Sequence, residues 1–176
     1  MGQIHGLEIG LVTAVNDPDH QGRIKLHCPA LGPKHETTWV RIASLMGGAD
    51  RGSHFIPEVG DEAVLGYWRE DAALPFVLGF LWNGKDLPPE KSVHRRKLKS
   101  KAGHTIVLDD TPGKENVTIT SKSGHEVKLD DSSGGQTITV QSSGDPVITL
   151  DAKANSITLS GGRRKITMSE GQVQIT

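Results

Sequence analysis

AGHTIVLDDT at 102–111 returns as SGHEVKLDDS at 123–132, and the reading of that repeat decides the fold. Each copy carries two apolar residues two positions apart, Ile106/Leu108 and Val127/Leu129, between a Gly-His turn and an Asp-Asp turn. The same beat continues as Val117/Ile119, Ile138/Val140, Ile148/Leu150, Ile157/Leu159, Ile166/Met168 and Val173/Ile175, with Thr, Ser, Lys and Gln between. Alternation over short runs predicts strands with one dry face, and a beat about every ten residues predicts a stacked array. No Phe, Tyr or Trp follows Trp82, and no helical period appears, so nothing in this half offers a cover for that face. The simplest cover is more copies of the same chain.

Three chains wrapped as a triangular prism would point Ile106, Leu108, Val117, Ile119, Val127, Leu129, Ile138, Val140, Ile148, Leu150, Ile157, Leu159, Ile166 and Met168 at a shared axis. Small aliphatic side chains suit that axis, whereas rings would overfill it. Eight layers at about 4.8 Å per strand make a needle roughly 40 Å long. Interchain backbone hydrogen bonds are expected to stiffen it.

The 176 residues are enough for one domain or two small ones. Hydrophobic residues make up 35% and aromatic residues 4%, and the formal net charge of -1 gives no global bias toward nucleic acid or anionic membrane. A single cysteine, Cys28, excludes a disulfide framework and a thiolate metal cluster. The N-terminus MGQIHGLEIG has neither the basic start nor the apolar run of a signal peptide, so synthesis in the cytoplasm is expected.

Composition shifts once along the chain. Up to about residue 83, runs such as LVTAV, IKLHC, TWVRIASL, AVLGYW and PFVLGFLW alternate with turn signals, which predicts a small closed barrel of about five strands. Asp17, Pro18 and Gly22, followed by Arg23, are expected to build the turn between the first two strands. Trp39, Trp68 and Phe76 are read as barrel core or barrel-to-barrel packing. The stretch NGKDLPPEKSVHRRKLKSK, with its Pro88-Pro89 pair and basic run His94–Lys101, reads as a solvated linker. The expected division is a barrel at 1–87, a basic linker at 88–101 and a β-helical needle at 102–176.

The barrel motifs VTAVNDPDHQGRIKL, TWVRIA, FIPEVGDEAVLGYW and LPFVLGFLWNGKDLPP resemble the OB-fold domain of contractile-injection spike proteins, the phage baseplate assembly protein V and VgrG group. KAGHTIVLDD and ENVTITSKSGHEVKLDD likewise resemble the start of their trimeric β-helix. The resemblance runs from about Leu7 to the end of the chain. It implies an all-β fold, an N-terminal OB-fold barrel followed by an intertwined trimeric β-helix or triangular β-prism. It also implies a homotrimeric, non-enzymatic spike in a baseplate, held by a hub or tube protein on the barrel side. A PAAR-type tip protein would cap the strand edge at Gln172, Val173, Gln174, Ile175 and Thr176, and the tip would touch a target membrane transiently. VgrG chains carry a hub-like region before the barrel, which here begins almost at Met1. A separate hub, or a chain that is a fragment, would account for that. The linker is too short for the lysozyme-like domain of some phage spikes.

The chain shows no G-x-S-x-G, H-E-x-x-H or P-loop, and no Cys/His ligand spacing, so no catalytic residue, metal or cofactor is assigned. Asp109-Asp110 and Asp130-Asp131 read as polar turn residues. His104 and His125 read as solvated turn corners, with threefold histidine rings as the metal-binding alternative. The iron-binding H-x-H pair of certain phage spikes has no counterpart beyond His125. The rival from another class is an OB-fold single-strand nucleic-acid binder with a repetitive tail. Balanced charge and aromatics read as buried weigh against it, and no nucleic acid is expected.

Overall fold

The computed structural model describes residues 6–169 and 171–176. The chain divides into two compact units, Met1–Leu87 and Pro88–Thr176. Strands and two single 3-10 turns make up the regular structure of the described residues.

In the first unit the strands are β1 (Glu8–Ala14), β2 (Lys25–His27), β3 (Arg41–Ile42), β4 (Gly47–Gly48), β5 (Arg51–Gly52), β6 (Glu62–Tyr67) and β7 (Pro75–Leu81). Five of them form a sheet in the order β2-β1-β6-β7-β3, while β4 and β5 make a separate small hairpin. The β3–β7 pairing is parallel, as it must be where a five-strand path closes on itself. Bridges from Ile24 to Val40 and from His27 to Glu36 tie β2 to the segment entering β3, which completes the barrel.

Alternation puts Val12, Ile24, Leu26, Cys28, Val40, Ala63, Leu65 and Val77 inside that barrel. The core is aliphatic, so the reading of Trp39, Trp68 and Phe76 as barrel core is corrected. Trp68 is 60% exposed, and Trp39 and Phe76 are half-buried. The Phe76 ring lies against Gly66, where an added Cβ would sit 2.9 Å from Cζ. Large rings do not fit a barrel this narrow once its strands alternate inward with Val, Leu and Ile, so they cover its wall. Trp39 does so beneath the ammonium of Lys25, 5.5 Å from the ring centre.

Asp17 organises the β1–β2 turn, as its place in the NDPDHQGR run suggested. Its carboxylate accepts the backbone amides of Asp19, Gln21 and Arg23 at 3.1, 3.0 and 3.3 Å. The Arg23 guanidinium donates to the same carboxylate twice, Nε at 2.8 Å and Nη2 at 2.7 Å. Those donors, Arg23 first, hold the Asp17 carboxyl far below the ordinary carboxylate range, and its side chain is only 3% exposed.

In the second unit nine strands follow: β8 (Arg95–Lys99), β9 (Thr105–Asp109), β10 (Asn116–Thr120), β11 (Glu126–Asp130), β12 (Thr137–Gln141), β13 (Val147–Asp151), β14 (Ser156–Gly161), β15 (Arg164–Ser169) and β16 (Gln172–Ile175). They form one antiparallel meander in chain order. The ladder hydrogen bonds therefore join consecutive strands of one chain, where the sequence reading expected them between chains. Turns of two to six residues make this unavoidable, because antiparallel neighbours joined by tight turns pair with each other.

The basic run read as linker is also different. Residues 95–99 form β8, paired to β9 from Arg95↔Asp109 to Lys99↔Thr105. Cross-strand ion pairs hold it there, Arg95 to Asp109 at 3.1 Å and Arg96 to Asp110 at 2.6 Å. A run of positive charge becomes a strand because the Asp-Asp turn of the next strand lies opposite it.

The Asp17 carboxyl ionises below its unfolded value of 3.8, so its contribution to stability is complete above about pH 5 and is lost as pH falls through and below 4. Asp17→Asn should lower the melting temperature of the barrel at pH 7 by about 5–10 °C. The gap from wild type should narrow toward pH 2. Intrinsic fluorescence checks this, since every aromatic residue lies at or before Trp82 and reports on the barrel unit alone.

Candidate functional site

The register of the meander sets the expected apolar residues in two continuous columns on one face of the sheet. One column runs Leu98, Ile106, Ile119, Val127, Val140, Ile148, Leu159, Ile166, Ile175. The other runs Leu108, Val117, Leu129, Ile138, Leu150, Ile157, Met168, Val173, with Arg96 at its β8 end. Strict period two in every strand, with each register centred on the same residue, is what keeps these seventeen apolar positions on one face.

That face is uncovered in the single chain. From Ile138 at 42% to Leu159 at 39% and Met168 at 45%, its side chains stay exposed, whereas the inward positions of the barrel, such as Ile24, Leu26 and Leu65, are fully buried. Thr139, Thr149, Thr158 and Thr167 face one another in register on the opposite side, half-buried. Val107 on that side is 6% exposed. Leu98 joins the apolar column although the sequence reading missed it, because one apolar residue among four charges in RRKLK makes no beat.

At the far end, β16 pairs with β15 along one edge, and Thr176 exchanges backbone hydrogen bonds with Lys165 at 2.7 and 2.9 Å. Its other edge carries no ladder among the described residues. Val173 and Ile175 are the most exposed of the beat residues at 63% and 76%, which places Gln172–Thr176 at an open sheet edge.

His104 and His125 are exposed, as read, but they are not free corners. His104 Nδ1 accepts the amide of Lys122 at 3.1 Å, and His125 Nδ1 accepts the amide of Ser143 at 3.1 Å. Each ring thus staples its own turn to the next turn on the same side of the sheet. Within each turn the serine four residues earlier closes a ring, Ser100 with His104 and Ser121 with His125, through backbone and hydroxyl. Gly103 and Gly124 take φ of 99° and 86°, which the turns require. The staple joins residues 18 positions apart, so a single turn motif did not reveal it. No group of three or more His, Cys, Asp or Glu among the described residues could hold a metal within one chain.

The paired aspartates act as turn residues, as read. Asp109 accepts the Thr111 amide at 3.0 Å and Asp130 the Ser132 amide at 3.0 Å. Thr111, with Arg95 behind it, pulls the Asp109 carboxyl below its ordinary range, and the Lys128 ammonium at 2.6 Å brings Asp130 down to about 2. Both stay ionised at neutral pH and serve as acceptors. No helix among the described residues is long and apolar enough to cross a membrane.

Comparison with known proteins matches both units. Residues 8–82 match the type VI secretion system/phage-baseplate injector OB domain, and residues 116–176 match the phage baseplate V C-terminal trimerisation domain. Among curated relatives, the type VI secretion system spike protein VgrG5 of Pseudomonas aeruginosa is 30% identical over 57% of this chain and 14% of its own length. VgrG2a of the same organism is 27% identical over 53% of this chain and 12% of its own. The actin cross-linking toxin VgrG1 of Vibrio cholerae is 26% identical over 56% of this chain and 10% of its own. The chain thus covers between 10% and 18% of the length of the curated relatives it matches.

His125→Ala should accelerate hydrogen exchange at the Ser143 amide by about 5–10-fold, the loss of one ~1 kcal/mol hydrogen bond. Exchange in the barrel should not change. Equal rates at Ser143 in both proteins would show that the imidazole does not hold the turn.

Proposed function

Because a chain that joins the injector OB domain to the baseplate V trimerisation domain belongs to the baseplate V/VgrG-like spike family, we propose that it is the structural spike of a contractile injection machine. Three copies form its shaft, and the two uncovered apolar columns carry this reading. Hydrophobic area left in water is the largest unsatisfied term in the second unit. Between its two edge strands the ladder already pairs the backbone, so along the array the face is what remains to be covered.

Three is also the number the geometry favours. Strands of five residues make a face about 17 Å wide, and three such faces enclose an axis about 5 Å from each. That is half the ~10 Å at which stacked sheets pack, so aliphatic columns meet at the centre with no room for rings. Four faces would leave a hollow core. Nine strands stacked at about 4.8 Å give a shaft roughly 43 Å long.

The role is mechanical and not enzymatic. Sheath contraction drives the tube, and the shaft concentrates that force on the target envelope. Rigidity comes from each chain's own ladder and from the packed axis. The barrels form the base and meet a hub or tube protein. The edge strand Gln172–Thr176 is the docking surface for a PAAR-type tip protein, supported by its open edge and the exposure of Val173 and Ile175.

Light scattering at several concentrations should give about 57 kDa, three times 18.9 kDa, without dependence on concentration. Ile138→Asp would place three carboxylates at the axis and should abolish the trimer while leaving barrel fluorescence intact. A mutant that remains trimeric would overturn the inward assignment. A wild-type mass near 19 kDa, with tight, salt-dependent affinity for single strands, would favour a nucleic-acid-binding OB protein instead.

A further inference from the structure

The meander sorts charge by side. Its connectors alternate between the two lateral edges of the sheet, so every second turn falls on the same edge. On the edge beside Ile106 and Ile119 lie the turns at 100–104, 121–125, 142–146 and 162–163. With the strand ends they carry Lys99, Lys101, Lys122, Arg163, Arg164 and Lys165 against Glu126 and Asp145. On the edge beside Leu108 and Val117 lie the turns at 110–115, 131–136 and 152–155. With the strand ends from β9 onward they carry Asp109, Asp110, Glu115, Asp130, Asp131 and Asp151 against Lys114 and Lys153.

Part of the acidic edge is neutralised inside the chain, by Arg95 on Asp109, Arg96 on Asp110 and Lys128 on Asp130. Glu115, Asp131 and Asp151 have no ion pair within the chain among the described residues. Nor do Lys99, Lys122, Arg163, Arg164 and Lys165 on the other edge. The bias is strongest in the first two periods, where Ser-Lys turns at 100–101 and 121–122 alternate with Asp-Asp pairs at 109–110 and 130–131, and Arg163 and Arg164 renew the basic edge further along.

We infer that the basic lateral edge of the β8–β16 sheet docks on the acidic lateral edge of a second copy of this chain, so that copies assemble side by side and all point the same way. The inference rests on the three-chain reading and adds the interface and its direction. Apolar columns alone do not choose a direction, because two such faces cover each other equally well parallel or antiparallel. Charge does choose. Chains related by rotation about the shaft axis bring the basic edge of one onto the acidic edge of the next, a heterologous contact that closes into a ring. An antiparallel face-to-face pair sets like edges together, at a cost for every turn that meets its own kind. Turns on the two edges are offset by one strand, about 4.8 Å, so basic turns fall between acidic ones within reach of a Lys or Arg side chain. Pairs this close lie inside the ~8 Å screening length at physiological salt, so each acts locally.

Short bis-maleimide crosslinking of the full chain reads the edges directly, since Cys28 is buried. In Lys122→Cys/Asp131→Cys, crosslinks between chains should convert most of the protein to a covalent trimer. The two positions flank β11 on opposite sides of one chain, about 17 Å apart, beyond a short linker. Lys122→Cys alone should stay monomeric on a denaturing gel. Covalent dimers of Lys122→Cys alone would mean that like edges meet, and would overturn the inference. So would a double variant that is trimeric by light scattering and forms no crosslink. A second arm uses charge. Lys122→Glu/Arg163→Glu/Arg164→Glu should weaken the trimer at least tenfold at low salt, and adding Glu115→Lys/Asp131→Lys/Asp151→Lys should restore it. Unchanged assembly in the first of these would also overturn the edge pairing. If wild type itself is not trimeric, the three-chain reading fails instead, and light scattering separates the two failures.

Discussion

A five-residue strand with apolar side chains at its second and fourth positions cannot bury them alone, and the second unit depends on that constraint. Between the edge strands β8 and β16 its backbone is paired within the chain, strand against neighbouring strand. What remains is a ribbon two apolar side chains wide. A helix packed over it would solve the problem in an ordinary domain, but no sequence for one exists between Pro88 and Thr176. The narrow strand also limits what can cover the face. That face carries only residues of the size of Val, Ile, Leu and Met beside Arg96, and none of the seven aromatic residues lies in this unit.

The first unit meets the same requirement by closure. Five strands bend round until β3 pairs with β7, and eight aliphatic or small side chains are sealed inside. Nothing more is needed to cover that core, so its rings lie on the wall, Phe76 across Gly66 and Trp39 under Lys25. The Asp17–Arg23 clamp has a related purpose. It replaces water for the amides of a turn whose carboxylate is almost fully buried, so the chain can leave β1 and return as β2 without orphaned donors. The first unit closes round its own core, and the second leaves its apolar face uncovered.

The apolar ladder, the Gly and Asp turns and the barrel runs were all legible in the residues, because period two and turn chemistry are local properties. The Asp17 turn was legible for the same reason. β8 was not, since Arg95, Arg96, Lys97 and Lys99 hide its single apolar residue, and only the Asp109-Asp110 pair beside it makes those charges compatible with a strand. The histidine staples were equally hidden. His104 reaches Lys122, and His125 reaches Ser143, across a full hairpin that sequence distance does not measure.

By itself the sequence determined which beat residues share a face and that aromatic side chains stay out of the second unit, because side-chain alternation and turn preference act between near neighbours. The tertiary structure decided who pairs with whom. It put the ladder bonds within one chain, aligned the apolar beats into two unbroken columns and sent Lys122 and Asp131 to opposite edges of one sheet. Those are consequences of register and of the handing of successive turns to alternate sides. They arise only when strands far apart in sequence are stacked, and no local pattern contains them.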